Sequence, residues 1–184
     1  MNIVVLSASG KVFVRPDTTW ERDSEDFYVP EFIDSVSFTP VFFARVSKPG
    51  RSVSEKFAGR YYDGLGFGVL LYPENLLDGS EEAFACASCV DHTSFLPFPV
   101  LAKGTAATDG TVSKDGVGIF RETLPSEDAI LKAIAEVTRF CYIRTGDLIA
   151  IELCRRQPLC SRTDSKISVT TAAFGEEANF NIIF

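Results

Sequence analysis

With 184 residues, 46% of them hydrophobic and 16 of them Phe, the chain has the apolar content for one substantial core and is read as a single domain over 1–184. A formal net charge of −7 and a pI near 4.8 argue against nucleic acid or an anionic membrane surface as partner. No apolar run reaches the roughly 18 residues that cross a bilayer; no basic residue precedes the short apolar run in Met1 to Gly10, and the five cysteines have no disulfide-framework spacing, so the expected setting is the cytoplasm.

Ile3 to Leu6 and Lys11 to Arg15 read as strands joined by the turn Ser7-Ala8-Ser9-Gly10. Asp17 to Asp26 is charged and reads as a solvated loop, with Trp20 available to anchor it. Phe27 to Pro30 resumes an extended course. Val36 to Val46, rich in β-branched and aromatic residues and followed by the turn dipeptide Pro49-Gly50, is a strand. Period two puts Thr39, Val41, Phe43 and Arg45 on one face and Phe38, Pro40, Phe42 and Ala44 on the other. Both faces are largely apolar, which predicts burial on two sides, while Pro40 lacks an amide donor and predicts an edge or a bulge. Ser52-Val53-Ser54-Glu55 has capping-box form, so a short helix is expected in which Ser52 is the cap and Val53, Phe57 and Tyr61 face the sheet. Gly64 and Gly66 then release the chain into a strand over Phe67 to Tyr72.

Asn75 to Val90 predicts a short helix entered through Ser80, with Glu81 and Glu82 in its first turn. It carries Cys86-Ala-Ser-Cys89-Val-Asp-His92, which includes the only histidine. Zinc takes sulfur and nitrogen donors in a tetrahedron, and Cys154 or Cys160 could complete such a set, although no ribbon-type turn surrounds them. Cysteines packed as small apolar residues and a redox dithiol are the competing readings. Thr93 to Leu101 is packing chemistry. Asp109-Gly110 and Asp115-Gly116 read as turns flanking a strand at Thr111 to Lys114. Gly116-Val-Gly118 lacks the Gly-Lys-Ser/Thr ending of a phosphate loop. Ser126 to Phe140 is the best helix, with Glu127 and Asp128 at its start, Arg139 near its end, and an apolar stripe of Ile130, Ala133, Ile134, Val137 and Cys141. Thr145-Gly146-Asp147 turns into a strand over Leu148 to Leu153, and Lys166 to Thr171 and Asn179 to Phe184 read as a hairpin across Phe174-Gly175-Glu176-Glu177.

KFAGRYYDGLGFG, beginning at Lys56, and RTGDL, beginning at Arg144, with the order of elements around them, resemble the fumarylacetoacetate hydrolase family. The resemblance implies an α+β, mostly β fold, a mixed β-sandwich roll with two or three short helices. It also implies a homodimer or a heteromer with a related subunit. Active members hold magnesium, manganese or calcium through a Glu-x-Glu on the first strand of this unit and an Asp just after the Gly that opens the second. Those positions fall on Thr39, Val41 and Leu70. Hard divalent cations need several oxygen ligands, and Val and Leu supply none. The family's Arg-Asp clamp falls on Glu74-Asn75, its Lys and Asp segment on Thr93 and Leu96, and its Thr-Gly-Thr-Pro loop on Ile151 to Cys154. The short connection between the first two strands leaves no room for the His-bearing lid of active members.

The expectation is therefore a non-catalytic member with no cofactor, whose former pocket at Thr39, Val41, Leu70, Glu74, Leu96 and Leu153 is filled by hydrocarbon. One alternative is a hydrolase or lyase acting on an acylpyruvate-like β-diketone, with acid and base groups relocated to Asp63, Glu74, His92 or Glu152. The other is a thiol-rich zinc protein using Cys86, Cys89 and His92.

Overall fold

The stretch around Val36 to Val46 is the spine of the molecule, paired along both edges and covered on both faces. A computed structural model describes residues 1–98, 101–102, 104, 108–173 and 175–184, and only the backbone at 176. Pro99, Val100, residues 105–107 of the segment before the predicted Asp109-Gly110 turn, and Phe174 of the last predicted turn lie outside the described residues.

In chain order the elements are β1 (Asn2–Leu6), β2 (Val12–Pro16), β3 (Trp20–Glu21), β4 (Phe27–Tyr28), β5 (Ser35–Val46), α1 (Glu55–Ala58), β6 (Tyr62–Pro73), α2 (Glu81–Ala87), β7 (Ser94–Phe95) and β8 (Asp109–Lys114). They continue with β9 (Val117–Thr123), α3 (Glu127–Phe140), β10 (Leu148–Glu152), β11 (Gln157–Ser161), β12 (Ser165–Thr171) and β13 (Gly175–Ile183). This is the α+β, mostly β organisation expected, with three helices among the described residues.

The first sheet runs β2-β1-β10-β5-β6-β7-β3, with β11 also paired to β5, and the second runs β4-β13-β12-β8-β9. β2 and β3 stand at opposite ends of the first order, yet only a 3₁₀ turn, Asp17–Thr19, joins them. The sheet must therefore curl until its edges approach. Inside the curl lies one core, built from Ile3, Val5, Val41, Phe43, Leu70, Tyr72, Leu96, Leu148 and Ala150. Outside it Phe38, Phe42 and Ala44 of β5 join Val112, Ile167 and Phe180 of the second sheet and Ile130, Ile134 and Val137 of α3 in a second core. The period-two reading of β5 thus describes which side chain enters which core. Each large buried side chain contributes roughly 1.5–3 kcal/mol.

Pro40 is not at an edge. β10 pairs β5 from Arg45 to Val41 and β11 pairs it from Phe38 to Ser35, leaving a gap at Pro40, whose carbonyl accepts from the Leu153 amide at 3.0 Å. Amide and carbonyl of one strand residue point the same way, so the donor that Pro40 lacks would have faced that gap.

Ser52 does not cap α1. It has a φ of +51°, Ser54 is the residue before the helix and makes no side-chain cap bond, and the stretch is held by α3: the Ser52 amide donates to the Thr138 carbonyl and the Val53 amide to Thr138 Oγ1 at 3.0 Å. Val53 and Ala58 are buried while Phe57 is exposed, so α1 packs on α3 and does not present Phe57 to the sheet. Asp109-Gly110 is part of β8; only Asp115-Gly116, with φ of +51° and +80°, makes a hairpin turn. Ser80 caps α2 as expected, accepting from the Ala83 amide at 3.1 Å. The charged segment before β4 is tied down by β3, where the Trp20 indole donates to the Leu96 carbonyl at 2.7 Å.

Candidate functional site

β5, β6 and the residue after β7 bring four of the six former-pocket positions together inside the curled sheet. Thr39 pairs with Leu70 and Val41 with Gly68, and Thr39, Val41, Leu70 and Leu96 are fully buried. Gly66 and Gly68 share this face of β6 with Leu70 and Tyr72. A Cβ at Gly66 would fall within the Phe43 ring, and one at Gly68 would run into the Phe95 backbone carbonyl oxygen and lie 2.9 Å from Leu96 Cδ2. The Phe43 ring, the Phe95 carbonyl and Leu96 therefore occupy the volume that the two glycines leave open. Between Ser37 and Phe43 on β5 and between Gly66 and Tyr72 on β6, no inward position carries a carboxylate. Thr39 Oγ1 is buried without a hydrogen-bond partner among the described residues. On the same face Glu152 of β10, opposite Val41, already accepts from the Tyr72 hydroxyl; one orphaned hydroxyl and one engaged carboxylate do not meet the oxygen demand of a magnesium, manganese or calcium ion, so these residues do not fit the family's metal.

The remaining two positions lie elsewhere. Leu153 follows the last residue of β10, and alternation turns its side chain to the outer core, away from Val41. Glu74 is exposed on the 3₁₀ turn Glu74–Leu76 after β6.

The buried charge in this region is a cation. Arg15 of β2 is fully buried; its Nε donates to the Ser88 carbonyl at 3.2 Å, and its Nη2 donates to the Leu71 carbonyl at 3.0 Å and to Thr93 Oγ1 at 2.6 Å. Its Cζ stands 4.8 Å from the centre of the Tyr72 ring, and Nη1 has no partner among the described residues. Burial pulls the guanidinium pKa down from its ordinary value. Burial also raises the Tyr72 phenol, which donates to Glu152 Oε1 at 2.9 Å, and the neighbouring carboxylate adds to the rise. Glu152 Oε2 accepts from the Ala8 amide at 3.0 Å. The sequence reading missed Arg15. Its signal was a charged residue two positions after Phe13, at the inward phase of an otherwise apolar strand.

A groove of about 880 Å³ beside β4 is lined by Ser24 to Tyr28, Pro30, Phe32 and Cys89 to His92. At its wall His92, with a φ of +55°, sets Nδ1 3.1 Å from Glu21 Oε2. Glu21 is buried, and its other oxygen accepts from the Asp23 amide at 2.9 Å. Glu21 was also missed, because it sits in the segment read as solvated and meets its partner 71 residues away.

The residues proposed for relocated chemistry do not converge. Asp63 pairs with Arg45 at 2.8 Å on the exposed end of β6, Glu152 is engaged by Tyr72, Glu74 is on its own turn and His92 is held by Glu21. Nor is the zinc set assembled. Among the described residues no three His, Cys, Asp or Glu side chains are grouped to hold an ion, Cys86 and Cys89 are exposed, Cys154 is half-buried and Cys160 is buried. The physical reason is chain direction: β10 and β11 deliver Cys154 and Cys160 to the outer core, not to α2.

The curled mixed sheet, the second sheet packed outside it and the three helices define a β-rich α+β roll. No protein-family model matches the sequence, and no curated protein matches it. Solved structures do match. The fumarylpyruvate hydrolase from Pseudomonas aeruginosa, solved with Mn²⁺ and pyruvate, has a TM-score of 0.83 at 12% identity over 100% of this chain and 90% of that one. A protein from Yersinia pestis CO92 assigned to the fumarylacetoacetate hydrolase family gives 0.78 at 21% over 99% and 92%. The 5-carboxymethyl-2-hydroxymuconate delta-isomerase from Mycobacterium smegmatis gives 0.80 at 14% over 99% and 78%. The roll is that of the fumarylacetoacetate hydrolase family, as KFAGRYYDGLGFG and RTGDL implied.

Proposed function

We propose that this chain is a non-catalytic representative of the fumarylacetoacetate hydrolase fold, acting in the cytoplasm as a binding or assembly component, as a homodimer or beside a related subunit. The observation that carries the reading is the inward face of β5 and β6, where Val41, Phe43, Leu70 and Leu96 fill the volume and no carboxylate is present. The similar structure from Pseudomonas was solved with Mn²⁺ and pyruvate; in this chain the fully buried ionisable side chain near that face is the guanidinium of Arg15. The exposed aromatics Tyr28 and Phe32 beside the groove supply apolar surface for a partner. No described helix is long and apolar enough to cross a membrane. The test is metal analysis of protein purified without chelator, combined with a carbon–carbon cleavage assay on acylpyruvates. The expected result is no stoichiometric magnesium or manganese and no turnover above background; either one at full level overturns the reading.

A second reading, a hydrolase or isomerase with relocated chemistry, is favoured by one observation. The His92 imidazole is held at Nδ1 by a buried carboxylate and borders the groove of about 880 Å³, the arrangement of an oriented general base. Turnover that disappears in both His92→Ala and Glu21→Gln would establish it.

A further inference from the structure

Cys86 lies in the last turn of α2 and Cys89 follows Ser88, the residue that caps the helix at its C-terminal end. The Cys89 amide donates to the Cys86 carbonyl at 3.0 Å, so the two residues are linked by a tight turn of the i to i+3 kind. Residues three apart in such a turn have Cα atoms roughly 5 Å apart and side chains on the same side. That separation lies within the range a disulfide spans. Both thiols are exposed, whereas Cys141 and Cys154 are half-buried and Cys160 is buried. The turn is also held in place, because the Ser88 carbonyl between the two cysteines accepts from Arg15 Nε. With no third donor grouped beside them among the described residues, two-sulfur chemistry is favoured over metal binding.

We infer that Cys86 and Cys89 form a reversible redox dithiol, oxidised by a small-molecule disulfide of the glutathione type. Cys89, which borders the groove, attacks one sulfur of the incoming disulfide, whose S–S bond breaks and whose departing half takes up a proton as a free thiol. Cys86 then attacks the Cys89 sulfur and releases the second half as a thiol. Two protein thiols become one protein disulfide, and one small disulfide becomes two thiols, so electrons and protons balance. The new bond draws Cys89 towards α2 and so shifts the wall that Cys89 to His92 give the groove.

The test treats the full chain with oxidised glutathione, alkylates the remaining thiols and maps the cysteines by mass spectrometry. Cys86 and Cys89 are expected to escape alkylation together, in one peptide lighter by two hydrogens, and to recover their thiols on reduction. Cys86→Ser, exposed and so not needed for folding, is expected to stop at a stable glutathione adduct on Cys89. Wild-type protein that keeps both thiols alkylatable, or that accumulates lasting glutathione adducts without the internal bond, overturns the inference.

Discussion

Inside the curled sheet Thr39, Val41, Leu70 and Leu96 have no contact with water, while the groove beside β4 keeps His92 against a buried carboxylate and presents Glu25, Asp26 and Asp91 at its surface. The first region is fixed by packing, the second by hydrogen bonds between loops. At the inward positions of β5 from Thr39 to Phe43 and of β6 from Gly66 to Leu70 no carboxylate is present, whereas the groove keeps its carboxylates where solvent shares their charge. Substitutions in the two regions should therefore register in different measurements: stability for the interior, binding or turnover for the groove.

The strongest way to break this contrast is Leu70→Asp. An unpaired carboxylate in that interior should cost about 4 kcal/mol or more, enough to unfold much of the population in urea titrations at neutral pH. A cost near zero would mean that water or a cation reaches the site. Phe43→Ala should cost about 3–5 kcal/mol and Gly66→Ala about 1–3 kcal/mol, because the added methyl meets the Phe43 ring. The double variant should cost less than the sum, since removing the ring makes room for the methyl. Additive costs would separate the two positions.

A pH experiment sharpens the same contrast on the outer core. Burial pushes the Cys160 thiol up to about 11 from its ordinary 9.0. The folded state then holds the proton longer than the unfolded chain, so the stability present below pH 9 is lost as pH rises towards 11. Cys160→Ala should flatten that alkaline limb in denaturation midpoints measured across the range. The smallest effects belong to the surface: His92→Gln and Asp63→Asn should each change stability by no more than about 1 kcal/mol, because both pairs have an exposed member. A larger loss at His92 would show that the Glu21 contact braces the roll and does not merely border the groove.

Features with local causes could be read from the chain. The alternation in Thr39 to Arg45 gave each residue its face, Ser80 announced α2, and the stripe from Ile130 to Val137 marked α3. Features with distant causes could not. The gap that accommodates Pro40 exists only because β10 stops and β11 starts on the same edge of β5. Ser52 looked like a cap because the competing hydrogen bonds come from Thr138, far along the sequence. Arg15 stood only as the end of a strand and Glu21 as part of a solvated loop, because the Ser88, Thr93 and His92 groups that bond them lie more than 70 residues further on. Of the six candidate positions, Thr39, Val41, Leu70 and Leu96 lie together inside the curled sheet, whereas Glu74 sits on a turn and strand alternation turns Leu153 to the outer core.

The parallel partnership of β1 with β10 joins strands far apart in sequence, with the Asn2 amide bonded to the Asp147 carboxylate 145 residues away. During synthesis the β1–β2 hairpin emerges well before its neighbour, which arrives only after Leu148 has been made. Ile3 and Val5 must wait meanwhile on a bare strand edge, a template for pairing with other nascent chains. A product terminated before Leu148 should therefore reach chaperones or inclusion bodies with its first strand still unclaimed.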